Sequence, residues 1–373
     1  MTGWNMSRVL KIQGPTEQGL RKLLRALLES GQVNGVFALR RSGGCGVNYS
    51  LVTDPSMLED VEPFHPVMPV QGGRALSHLT RTAPLEEPVA ALLRPCELRA
   101  LVELVKREQA SLDNLFVISC SCGGVYPLSA MLEGEVASEL DAYWAAVPRN
   151  EVPEGVRPAC ASCVEFVPYG ADMTALLLGG RNAAATTEVL LNTPRAEEAA
   201  MLVDGEICED DGGAQAIEEM RAKRRVNRDE LFKAAEIAYQ GLNGLVGVFG
   251  RCIGCRGCRE VCPLCYCNLC EFDSHRSELT REGLEADLAR RGGLRVPAGT
   301  LSYHLGRMSH MAISCVRCGQ CTDVCPADIP VSTFFAKVGQ AVQGMFDYLP
   351  GRDAEEPIPL TTYRTDELVE VED

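Results

Sequence analysis

Residues 252–263 read CIGCRGCREVCP, and residues 315–326 read CVRCGQCTDVCP. Each is a Cys-x-x-Cys-x-x-Cys-x-x-x-Cys-Pro run: Cys252, Cys255, Cys258 and Cys262 before Pro263, then Cys315, Cys318, Cys321 and Cys325 before Pro326. Four soft thiolates at this spacing suit 4Fe–4S clusters. Three cysteines of such a run wrap one cluster while the fourth crosses to the neighbouring one. The proline after it suits that departure, because it donates no backbone hydrogen bond and turns the chain. The expected ligand sets are therefore Cys252, Cys255, Cys258 and Cys325 for one cluster and Cys315, Cys318, Cys321 and Cys262 for the other. Structural zinc also takes four thiolates, from paired Cys-x-x-Cys knuckles. It leaves the third cysteine and the proline, both present twice, without a reason.

Working outward from these runs, 373 residues leave room for two or three domains. The 51 acidic against 36 basic residues give a net charge of −15, a field that repels a phosphate backbone and excludes nucleic acid as a partner. Residues 1–17 are polar and lack a signal-peptide core, and no run approaches the ~18 apolar residues of a membrane span. Eighteen cysteines in such a chain point to a reducing, cytoplasmic setting with thiols committed to metal.

Upstream of the runs the pattern alternates strand and helix. Leucines at helical spacing in residues 18–30 end at Gly31. Residues 33–39, 85–93 and 115–119 read as strands and 95–109 as a helix with proline in its first turn. Residues 40–46 (RRSGGCG) are expected to form a loop, 129–144 a helix, and 204–213 (DGEICEDDGG) an acidic linker. Helices are expected over 214–248, 277–291 and 300–313, and a proline-bearing acidic tail lying over a partner or mobile from residue 349. The expected fold is an α/β domain over 1–205, a linker and connecting helix over 206–249, an all-α dicluster domain over 250–340, and a tail over 341–373.

Seven cysteines lie upstream of the runs. Cys160 and Cys163 form a Cys-x-x-Cys pair, Cys96 sits at a strand-to-helix junction and Cys120 at a strand end. These places share one edge of an α/β sheet, where functional sites gather. The four suit a third cluster, with Cys122 able to replace Cys120; buried packing or a redox disulfide are the alternatives. Cys265, Cys267 and Cys270 make three potential ligands without an obvious fourth, unless Cys208 or Cys262 supplies it. Cys45 has no assignment, and His304 and His310 read as packing residues. No GxGxxG follows a strand. The glycine stretches holding Gly43 and Gly44, and Gly72, Gly73 and Arg74, are the candidate cofactor-binding loops, with ordinary turns as the alternative.

Residues 94–120 (RPCELRALVELVKREQASLDNLFVISC), followed by RPACASC at 157–163 and ADMT at 171–174, resemble the beta-subunit family of coenzyme F420-dependent hydrogenases and dehydrogenases, closest to beta subunits of cytoplasmic formate dehydrogenases. Residues 303–332 (YHLGRMSHMAISCVRCGQCTDVCPADIPVS) are similar to the helical dicluster ferredoxin domains of formate dehydrogenase beta and heterodisulfide reductase-type subunits. The resemblance implies an FAD-binding α/β domain exchanging a hydride with a deazaflavin such as F420, or with NAD(P), and a cluster at the positions of Cys96, Cys120, Cys160 and Cys163. It also implies a partner that performs the formate chemistry: a catalytic dehydrogenase or hydrogenase subunit, or a heterodisulfide reductase-type complex. The sequence departs from the family at Gln71, Gly72, Gly73 and Arg74, where a Gly-Ser-Lys/Arg-Tyr run is usual, and at Cys122, an extra thiol. Hydride carriers move two electrons and clusters one; a flavin links the two. The expected function is thus an iron–sulfur flavoprotein subunit of an oxidoreductase complex. The rival expectation is a flavin-free iron–sulfur relay.

Overall fold

The computed structural model describes residues 7–43, 46–132, 136–179, 185–270, 272, 280–294 and 296–361. It opens with β1 (Ser7–Gln13), α1 (Thr16–Glu29) and the hairpin β2 (Gly35–Ser42) and β3 (Gly46–Val52). There follow α2 (Gly72–Thr80), β4 (Val89–Leu92), α3 (Pro95–Val105), β5 (Leu115–Cys120), α4 (Leu128–Leu132), α5 (Val136–Ala146) and α6 (Pro158–Ala161). The sheet half closes with β6 (Met173–Ala175), β7 (Thr186–Leu191), α7 (Pro194–Ala200) and β8 (Glu206–Asp210). The described strands form one mixed sheet in the order β3-β2-β4-β5-β6-β7-β1-β8. Its centre, β2-β4-β5-β6, is parallel, in register at Val36↔Ala90, Ala90↔Phe116 and Ile118↔Met173. Strands buried on both faces read as unbroken apolar runs, which is why β4 (VAAL) and β5 (LFVISC) show no alternation.

The remainder is helical. Two connecting helices, α8 (Ala214–Ala238) and α9 (Gly241–Phe249), lead to the one-turn α10 (Gly257–Glu260). Then come α11 (Arg281–Arg291), α12 (Thr300–Met311), the one-turn α13 (Gln320–Asp323) and α14 (Val331–Met345). No helix among the described residues is long and apolar enough to cross a membrane.

Four expectations need correction. Residues 40–46 are not a loop: Arg40, Arg41 and Ser42 pair with Asn48, Val47 and Gly46, so only the tip turns. Gly43 takes the left-handed φ of +42° there, while Gly44 and Cys45 lie outside the described residues. Residues 204–213 are not a linker, because Glu206–Asp210 pairs with β1 as an edge strand, Lys11 lying within reach of both Glu188 and Asp210. Charge on an edge strand discourages further pairing, and charge density alone imitates a linker. Residues 72–74 are the first turn of α2, with the Gln71 side chain accepting from the Arg74 N–H at 2.7 Å.

The fourth concerns the tail. Helix α14 runs to Met345, past the expected boundary, and the start of the segment behind it packs on this chain's own α3. The buried Glu103 carboxylate accepts from the Gly351 N–H at 2.8 Å and from the Tyr348 hydroxyl. A Cβ at Gly351 would stand 2.2 Å from the Arg99 carbonyl oxygen, so only glycine, with φ +73°, lets the chain lie this close. Residues 362–373, and 277–279 of the expected helix before α11, lie outside the described residues.

Candidate iron–sulfur centres

The two cysteine runs fold alike. In the first, Gly254 (φ +72°) and Arg256 (φ +58°) are left-handed; in the second, Arg317 (φ +61°) and Gly319 (φ +82°) are. These are the second and fourth positions after the first cysteine of each run, with glycine and arginine exchanged. Left-handed residues at such spacing turn successive backbone N–H groups to one side and make an anion-binding concavity of the kind that holds iron–sulfur clusters. Each run then enters its one-turn helix, α10 or α13, and ends on a matching turn: Cys262 N–H donates to Arg259 O at 3.1 Å and Cys325 N–H to Thr322 O at 3.0 Å. The φ signature was not legible in the sequence, since arginine carries no mark of a left-handed backbone.

The tertiary structure brings the runs face to face. Cys262, from the first, lines one cavity with Cys315, Cys318 and Cys321 from the second; Arg307, Met311 and Phe335 also line it. On the other side, burial pushes the Cys258 thiol up, and Cys252 and Cys325 are near enough to add to the rise. Cys262 thus lies with the second run and Cys325 beside the first, while Cys255 is exposed. Among the described residues, no three His, Cys, Asp or Glu side chains converge on a point suited to a single ion. Tetrahedral zinc would draw its sulfurs to about 3.8 Å from one another. Thiols around a shared cavity, with the Gly254 N–H donating to Cys252 Sγ at 3.4 Å, fit a larger anionic cluster.

The third group gathers at the C-terminal edge of β4 and β5. Burial first, then Glu97, Cys318, Cys122 and Cys160, push the Cys96 thiol well up. Cys122 is likewise a neighbour of Cys160 and of Cys163. Cys120 is fully buried in the sheet core behind it. The Cys120 thiol bonds to Cys122 and lowers its pKa, helped by Arg94, Arg224 and the Gly124 N–H, while burial raises Cys120. Cys122 is thus the thiol readier to ionise beside Cys96, Cys160 and Cys163.

This group and the second run are also neighbours. Burial, with Cys315 and Cys160 adding, holds the Cys318 thiol up at about 11. The contact is locked by polar bonds from the sheet half. Arg157, just before α6, pairs with Asp323 of α13 at 2.5 Å, both side chains under 5% exposed. Arg99 donates to Val316 O at 2.7 Å and Gln320 to Met68 O at 3.2 Å. Arg74 donates to Cys262 O at 2.8 Å and to Glu260 O.

That last pair of bonds decides the candidate loop at 72–74. Gly72 and Gly73 are buried where α2 meets α3: a Cβ on Gly73 would sit 2.2 Å from Glu97 O, and one on Gly72 2.6 Å from the Tyr49 hydroxyl. Gly72 N–H already donates to the Glu97 carboxylate at 3.0 Å. Space and donors are used internally, so these residues do not fit a flavin phosphate cradle. Of the remaining cysteines, Cys265 contacts Arg307 and Met311, Cys267 is exposed, and Cys208 packs with Val9, Leu176 and Leu190 on the sheet. His304 is a packing residue, stacked on Phe249 at 4.5 Å; burial, with Arg307 adding, lowers its pKa to about 4.

Residues 248–329 match the family described as "4Fe-4S dicluster domain". The F420-dependent formate dehydrogenase 1 subunit beta of Methanococcus maripaludis is 30% identical over 381 residues, covering 90% of each chain. The F420-dependent formate dehydrogenase subunit beta of Methanocaldococcus jannaschii is 28% identical over 366 residues, covering 90% of this chain and 92% of its own. A chain of the F420-reducing [NiFe] hydrogenase complex of Methanosarcina barkeri superposes on 65% of this chain and 96% of its own at 13% identity and TM-score 0.46. A mixed sheet-and-helix region followed by a helical dicluster domain defines an iron–sulfur subunit of an oxidoreductase complex. The chain belongs to the family of F420-dependent formate dehydrogenase beta subunits.

Proposed function

We propose that the chain passes single electrons along three 4Fe–4S clusters between its sheet half and a partner subunit that carries out formate chemistry. Cys96, Cys122, Cys160 and Cys163 would hold the first of the series. Cys262, Cys315, Cys318 and Cys321 would hold the next, and Cys252, Cys255, Cys258 and Cys325 the last. The observation that carries this reading is the position of Cys318, which lines the cavity of its own set and is an electrostatic neighbour of Cys96 and Cys160. Such clusters, when bound, accept and release one electron at a time. The protein's part is to hold the sites at fixed separation, through the Arg157–Asp323 pair and the Arg74 and Arg99 bonds, and to bury them. Exposed Cys255 marks the end of the series open to a partner.

The relatives' names carry F420, a hydride carrier, and a hydride-to-electron exchange calls for a flavin. Since Gly72, Gly73 and Arg74 are committed to packing and to the dicluster carbonyls, FAD would have to bind elsewhere in the sheet half. The same commitment favours a second reading, a flavin-free relay.

Anaerobically purified protein is expected to contain iron and acid-labile sulfide for three clusters. Cys122→Ser should lose one cluster's worth, while Cys120→Ser keeps full content. Absence of iron and sulfide overturns the proposal. Acid extraction decides between the readings: yellow, fluorescent flavin supports the flavoprotein, and none at full iron content supports the relay.

A further inference from the structure

Arg307 of α12 is a large charged side chain only 2% exposed, and among the described residues no carboxylate pairs with it. Its partners are sulfur and backbone. Nη1 donates to Cys258 Sγ at 3.2 Å, and Nη2 to Cys258 O at 3.2 Å and Cys265 Sγ at 3.5 Å. The same guanidinium lines the cavity formed by Cys262, Cys315, Cys318 and Cys321. Its Nε–H has no protein acceptor although it is buried. The rings of Phe335 and Tyr303 stand 5.2 and 5.8 Å from its carbon and hold it in place. Burying a cation without a carboxylate is costly, so a stable fold needs negative charge around it. Two cysteine sets carrying clusters would supply that charge. A guanidinium does not deprotonate in proteins at working pH, so Arg307 stays a cation there.

We propose that Arg307 is a positioning residue shared by the two dicluster sites, a permanent buried cation that makes both easier to reduce and favours the one on Cys258. The inference rests on the cluster reading above. Adding one electron raises the local negative charge by one, with no proton moved and no bond broken. Hydrogen bonds to the sulfurs and buried positive charge stabilise that added charge. Only Cys258 receives a direct N–H···S bond from it among the assigned ligands, so the two potentials respond unequally. Arg307 thereby sets which dicluster site holds the electron first, and the bias runs toward the Cys258 set at the partner-facing end.

The test is an anaerobic potentiometric titration of the purified complex, followed by EPR and by visible bleaching. Arg307→Met, with full iron and sulfide, is expected to lower the reduction constant of at least one centre about tenfold, 59 mV for one electron, and the other by less. Arg307→Lys keeps the charge and loses the fork, so it should shift less than half as far. Waves of Arg307→Met within a factor of two of wild type at full iron, or displaced to higher potential, overturn the proposal. Loss of iron from both variants overturns it too, since Arg307 would then be a strut. Wild-type iron and sulfide content reports on the cluster reading separately.

Discussion

The sheet half encloses a large core in which Leu10, Ile12, Leu20, Leu23, Leu24, Val36, Ile118, Met173 and Val189 pack together, and a second buried cluster that includes Phe37, Leu76, Leu98, Leu101 and Val117. The helical half is built differently. Its fully buried apolar cluster is small, Phe249, Ile329, Val331, Phe334 and Phe335, ringed by Cys252, Cys315, Cys321 and Cys325. Helix α11 has no buried residue. The sheet half is large enough to be held by burial, whereas a segment of about 100 residues with so few apolar side chains needs staples, and here the ligands supply them. One chain thus joins a self-sufficient scaffold to a metal-dependent one.

The widest test of that contrast is iron removal by anaerobic chelation. We expect residues 250–345 to lose amide protection and become protease-sensitive while the sheet half keeps its fold, because its apolar core outweighs the loss of its own proposed cluster whereas the helical half draws most of its folding free energy from cluster binding. Hydrogen exchange reads both halves at once, and equal protection of α12 and α14 with and without iron would break the contrast. Next in size is the seam. Arg157→Met strands the Asp323 carboxylate in the interior and should cost about 3–5 kcal/mol in denaturant unfolding, with Arg157→Met/Asp323→Leu recovering most of it. An additive double variant would mean that the pair does not join the halves.

Smaller effects sharpen the picture within the sheet half. Burial lowers the pKa of His65 to about 4, with Glu62 opposing and Arg94 adding. The unfolded chain therefore binds more protons between pH 6.5 and 4, and stability should fall as pH drops through that window by about 3.4 kcal/mol at most. Trp144 fluorescence during urea unfolding at stepped pH measures it, and His65→Leu should flatten the slope. Last, Gly73→Ala forces α2 off the α3 backbone and should cost about 1–3 kcal/mol without altering cofactor content, whereas Gly43→Ala, whose Cβ meets nothing, bears only the left-handed backbone penalty of about 1 kcal/mol. Loss of a flavin from purified Gly73→Ala at unchanged stability would restore a binding role there.

What could be read beforehand followed from local chemistry. Strand β5 and helix α3 announce themselves by an apolar run and by proline in the first helical turn, and the crossed cysteine sets follow from a proline behind each fourth cysteine. The misreadings share a cause. Gly43, Gly72 and Gly73 look alike as letters, yet one turns a hairpin and two let helices touch, and only the neighbouring element distinguishes these uses. Residues 206–210 looked like a linker because the strand they pair with, β1, lies almost 200 positions earlier.

By itself the sequence determined the ligand chemistry, since thiolate spacing and proline are properties of a few adjacent residues. The tertiary structure alone decided which thiol of Cys120 and Cys122 stands beside Cys96, that Arg74 serves the dicluster carbonyls, and that Arg307 lies between two cysteine sets. Those depend on burial and on distances between residues far apart in the chain, which only the packed fold sets.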